Sequence, residues 1–159
     1  MFYIIAVLII IVFALYIRFS YKVPQKIMIL QTSVADFKPN ILLEKQPIVV
    51  QDRLDNVKPI LDDWFRFNKK AEFTITPDME WIKNKHKYMA IHSLEDCEIL
   101  LCSPLCKVNQ GIPDGSEQVI AIKLYKGMIL IVPYRWYLTT NKPVYAHTYH
   151  DMFTYLLPA

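Results

Sequence analysis

Glycine is scarce in this chain: 3 residues in 159, against 10 Pro, 10 Tyr, 8 Phe and 3 Trp. A loop that cradles phosphates needs several glycines close together, so that class of nucleotide site is excluded. The same balance suits many strands joined by stiff turns. Cysteine is also scarce, and odd in number: Cys97, Cys102 and Cys106. That count suits a reducing compartment better than a disulfide framework. A net charge of +3 is too mild to predict nucleic-acid binding. No internal repeat and no low-complexity tract occurs. Charge is missing altogether from residues 2 to 17, and all 18 Lys and Arg and all 15 Asp and Glu fall from Arg18 onward.

That uncharged leader, FYIIAVLIIIVFALYI, is rich in Phe, Ile, Leu and Val. As a helix it spans about 24 Å, slightly short of the ~30 Å hydrocarbon core. Snorkelling by Arg18 and interfacial placement of Tyr3, Tyr16 and Tyr21 would make up the difference. A cleaved signal peptide wants a basic start and small residues at the cleavage site, whereas the bulky, basic YIRFSYKVP follows here. The expectation is an uncleaved membrane anchor over residues 1–20, carried by Phe2, Ile4, Ile5, Leu8, Ile11, Phe13, Leu15, Ile17 and Arg18. Arg18, Lys22 and Lys26 just after the span place the body on the cytoplasmic side by the positive-inside rule.

Residues 21–40 read as a stalk, and residues 41–159 as a folded domain. QPIVVQD is a short strand opened by Pro47, which is allowed at a strand start. DNVKPILDDWFRFNKK carries Val57, Ile60, Leu61, Trp64, Phe65 and Phe67 near helical spacing, with Asp55 or Asn56 as N-cap. EFTITP, KYMAIH, CEILLC, EQVIAIKLY, MILIVPY, RWYLTT and VYAHTYH follow as short strands between turn signals. The fold class expected is mainly β: an N-terminal transmembrane helix, then a small antiparallel sandwich or barrel with one helix.

Two stretches taken together resemble the cupin-like, JmjC-type double-stranded β-helix. KQPIVVQDRLDNVKPILDDWF is similar to that family's entry, a proline-led strand followed by a helix ending in tryptophan. GMILIVPYRWYLTT resembles its glycine, apolar strand, proline, aromatic, tryptophan, histidine segment. The residues that carry the likeness are Pro47, Trp64, Gly127, Pro133, Trp136 and Tyr137. The family's iron enzymes hold metal with His-x-Asp/Glu and a distant His. Here Tyr137 stands at the distant position, Met128 replaces an acidic residue, and no His-x-Asp/Glu occurs. The resemblance therefore implies the shell without the metal triad, hence no cofactor and no catalysis.

Other groupings are weighed as structural. Cys102-x3-Cys106 has a spacing seen in zinc sites, with His86, His92 and Cys97 to complete the ligands, but small buried thiols flanking a turn are the preferred reading. His147 and His150, three apart on a strand, point to opposite faces. Asp62 with Asp63, and Glu95 with Asp96, are solvated neighbours and not an acid/base pair. In style the chain resembles small membrane-anchored proteins of large double-stranded DNA viruses. The function this implies is a virion membrane protein, a minor capsid component tethering an internal membrane to the shell. Its expected partners are lipid and capsid proteins, without nucleic acid and with self-association open. The alternatives are a membrane-anchored cupin-type oxygenase and a small-molecule binding module at the barrel mouth.

Overall fold

The structure is a computed structural model that describes residues 2–66, 69–78, 80–109, 111–114 and 118–151. Helix α1 (Phe2–Tyr21) leads into β1 (Leu30–Thr32), a 3-10 helix (Pro39–Glu44), β2 (Ile48–Val50) and α2 (Lys58–Trp64). The strands β3 (Lys69–Ile75), β4 (Ile82–Lys83), β5 (Tyr88–His92) and β6 (Cys97–Cys102) follow. A small hairpin of β7 (Val108–Asn109) and β8 (Ile112–Pro113) precedes β9 (Val119–Leu124), β10 (Ile129–Pro133), β11 (Tyr137–Thr140) and β12 (Val144–His150).

Two sheets face each other. One runs β1-β2-β10-β5-β12-β3 and the other β4-β11-β6-β9. Leaving out β1, β2 and the small hairpin, each sheet has four antiparallel core strands, and the chain crosses repeatedly between them. That strand order is a jelly roll, the double-sheet architecture shared by cupins. Period-two alternation does the sorting. Ile91, Leu130, Val132, Val144 and Ala146 from the first sheet meet Ile99, Leu101, Leu124, Trp136 and Leu138 from the second, and all are essentially inaccessible.

A second core lies on the outer face of the six-stranded sheet. The four-residue spacing of Val57, Leu61 and Phe65 makes one apolar stripe, and α2 lays it over Ile131, Ala90 and Tyr149. Full burial of each such side chain is worth about 1.5–3 kcal/mol. Phe65 stacks on Tyr149 at 4.1 Å, and Trp64 on Phe37 at 3.8 Å. The N-cap of α2 is Val57, without a side-chain cap bond. Asn56 accepts a hydrogen bond from the Lys58 amide at 3.2 Å instead. Phe67 lies outside the described residues.

The stretch read as a stalk is partly sheet: Leu30–Thr32 pairs in parallel with Ile48–Val50. The leader requires a larger correction. It is helical and exposed, but among the described residues no helix is long and apolar enough to cross a membrane. The transmembrane element of the expected fold class, the single-pass anchor and the cytoplasmic placement of the body are therefore overturned. Two physical reasons can be named. Arg18 interrupts the apolar rod short of bilayer thickness, and the last turns of α1 are engaged by the β domain. Tyr16 and Tyr21 both donate hydrogen bonds to Asp151.

The thiols also depart from expectation. The chain reverses after Ser103, whose carbonyl accepts from the Cys106 amide at 3.1 Å. Cys102 and Cys106 thereby come within bridging reach, with Cα atoms 6.4 Å apart, and are joined in a disulfide. Cys97 is free and buried.

Candidate functional site

The residues that carry the cupin-like resemblance lie in the β domain. Tyr137 lies at the start of β11 between Trp136 and Leu138, whose side chains fill the core. Alternation sends the phenol to the outer face of the four-stranded sheet, where the Lys83 ammonium sits 5.8 Å from its ring. It faces no interior pocket. Trp136 is wholly buried, and Pro133 closes β10 opposite Tyr88. The Pro47 carbonyl accepts from the Leu30 amide at 2.9 Å and thereby docks β1. Gly127, at φ +83°, has a reason to be glycine: a Cβ there would lie 2.7 Å from the Leu54 nitrogen. Its carbonyl accepts from that same amide at 3.0 Å, tying the loop before α2 to the β9–β10 turn.

Two features with chemical potential remain, at opposite ends of the six-stranded sheet. The antiparallel register of β5 and β12 places Tyr88 beside Tyr149 at one end and His92 beside Tyr145 at the other. At the first end, just beyond these strands, Asp151 accepts hydrogen bonds from the hydroxyls of Tyr16 and Tyr21, both at 2.5 Å, and from the Lys87 ammonium at 2.9 Å. Lys87 also donates to the Tyr16 hydroxyl at 2.7 Å. Partial burial opposes ionisation of Asp151, but its three donors outweigh it and hold the carboxyl well below the usual carboxylate range. The same partners keep Lys87 protonated, against the cost of burial. Tyr21 packs edge-on against Tyr134 at 5.1 Å. The C-terminal end of α1 is thus clasped, while Tyr3 to Val12, with Leu15 beyond, presents apolar side chains to the surroundings, Leu8 at 56% and Ile10 at 66% exposure.

At the second end, a cavity of about 320 Å³ opens between the approach to α2 and the outer faces of β3, β5 and β12. His147 lines it, is 7% exposed, and has Nδ1 3.6 Å from the Glu72 carboxylate on the paired strand. Its Nε2 is buried without a hydrogen-bond partner among the described residues, as is Nδ1 of His92. The His92 ring stacks on His147 at 5.3 Å and on Tyr145 at 5.4 Å. Burial pushes both imidazoles below the ordinary histidine value; at His92 the neighbouring His147 adds to the effect, while Glu72 opposes it at both. Both are therefore neutral at pH 7. The carboxylate beside Nδ1 of His147 favours the proton there, leaving Nε2 as a bare acceptor.

His147 and His150 do face opposite sides of β12: His147 meets His92, whereas His150 meets His86 at 5.6 Å. No group of three or more His, Cys, Asp or Glu among the described residues could hold a metal ion. Sequence reasoning missed Glu72 and Asp151, because each acquires its role from a partner far away in the chain. It also missed Asn84, whose buried amide donates to the carbonyls of Val132 and Pro133, both at 2.9 Å.

No protein-family model matches the chain, and no curated protein does so either. Among solved structures it is similar to a DUF861 family protein from Thermotoga maritima, with 10% sequence identity and a TM-score of 0.37. The match covers 64% of this chain and 96% of that one. At this level the likeness carries no argument, and the jelly-roll assignment rests on the strand order above. Nothing in the fold or the comparisons points to a viral capsid protein, and the membrane anchor on which that expectation stood is overturned.

Proposed function

We propose that this protein is a non-catalytic assembly protein whose jelly roll serves as a rigid mount for α1. The helix packs against the same apolar helix of a second copy of this chain. The observation that carries this reading is a run of apolar side chains from Tyr3 to Val12, exposed around the rod and clasped to the body at the other end. Exposed apolar surface of this extent marks an interaction site. A clasped rod is already ordered, so less freedom is lost when a partner covers it. The interior of the sandwich is filled with aliphatic side chains and Trp136, which supports a scaffold in preference to a barrel-mouth binding module.

Sedimentation of the full chain in detergent-free buffer tests this. Ile4, Leu8 and Ile11 lie on one side of the helix, three or four residues apart. The unaltered chain is expected to associate, and the Ile4→Lys, Leu8→Lys, Ile11→Lys triple variant to sediment as a folded monomer. Association that persists undiminished in the triple variant, or a monomeric unaltered chain, would sink the proposal.

A further inference from the structure

The cavity at the far end of the sheet has a chemistry that the helix-mediated contact does not use. Its ionisable lining comprises two carboxylates, Asp55 and Glu72, one ammonium, Lys58, and the two neutral imidazoles, so the wall is anionic overall. An anionic ligand is disfavoured there. A cationic ligand suits the cavity. Its walls include flat rings: His147, His92 and Tyr145 form a ladder with interplanar angles of 24° and 23°, and Tyr145 remains 44% exposed.

We infer that this cavity binds a guanidinium group. A guanidinium is planar, carries N–H donors in a fixed fork, accepts nothing, and stacks on aromatic faces. Those properties answer the carboxylates and the ring ladder together. A simple ammonium answers the charge but offers no flat face to stack on the rings. The volume of about 320 Å³ accommodates the group with its methylene stem. Lys58 sits 3.5 Å from Glu72 in a pair whose side chains are 59% and 47% exposed. So exposed a pair holds weakly, and an incoming guanidinium displaces the lysine from the carboxylate. Lys58 is thus a resident competitor.

The group can arrive on a free small molecule or on an arginine side chain of a partner protein. Binding to the full chain is followed through the ring signals of His92 and His147 by NMR. The probes are N-acetyl-arginine-amide, agmatine, and N-acetyl-citrulline-amide as the neutral isostere. The guanidinium probes are expected to shift both histidines, with citrulline weaker by roughly tenfold or more. Glu72→Gln, at an exposed site that does not threaten folding, is expected to weaken binding by a similar factor. Lys58→Gln is expected to strengthen it a few-fold, which a merely structural lysine would not do. Tighter binding of the blocked arginine assigns the site to a protein partner; tighter binding of agmatine assigns it to a free molecule. Unmoved histidine signals, equal binding of citrulline, or weaker binding in Lys58→Gln would overturn the inference.

Discussion

At the scale of single residues, Gly127 and Lys45 show how little room the packing leaves. Gly127 combines a left-handed backbone with a close approach to Leu54 and Arg53. Gly127→Ala therefore adds conformational strain of about 1 kcal/mol to a backbone clash, and a loss of roughly 2–4 kcal/mol is expected from urea unfolding. Lys45 is only 9% exposed and donates to the Tyr88 hydroxyl at 3.1 Å, while that hydroxyl donates to the Leu42 carbonyl at 3.2 Å. Burial, helped by nearby Lys87, lowers its pKa from 10.5 to about 8. The unfolded chain holds this proton more tightly than the folded one, so the group opposes folding below about pH 8. The penalty fades as pH rises toward 10.5. The urea midpoint of the unaltered protein is expected to gain on that of Lys45→Met over this window. At pH 7 the methionine variant is expected to be more stable by roughly 1–2 kcal/mol, because Tyr88 keeps its bond to Leu42.

Among elements, α1 is the one whose placement hangs on a few polar contacts. Asp151 receives all three donors of the clasp, and its carboxyl is held ionised. Its folded pKa lies below the unfolded carboxylate value of about 4, so the contribution is full above that pH and is lost as pH falls below it. Asp151→Asn removes the counter-charge of a half-buried Lys87. Amide hydrogen exchange over residues 12–21 is expected to accelerate by about tenfold or more, with strands β5 and β10 unchanged. Equal protection of the helix in both proteins would show that the clasp does not hold it. The strands, in contrast, were largely legible. KYMAIH, CEILLC, MILIVPY and VYAHTYH alternate or run apolar between turn residues, and each contains a strand. The two-residue β4 and the β7–β8 hairpin carry too few residues for a pattern to declare itself.

For the whole molecule, the sheet is a spacer with different chemistry at its ends: an apolar rod beyond Tyr88 and Tyr149, and a polar, ring-walled cavity at His92 and Tyr145. The amino-acid order alone determined the mainly β class, the position of α2 and the apolar character of the leader. Each of these depends on local periodicity and composition, which neighbouring residues supply by themselves. The two sites were decided only by tertiary pairing. Glu72 meets His147 through the register of β3 and β12, and Tyr16 meets Asp151 across 135 positions of chain. The same pairing turned Tyr137 outward, because Trp136 and Leu138 claimed the interior. A strand's alternation says that its residues have two sides; which side is covered, and by what, depends on the sheet and helix that pack against it.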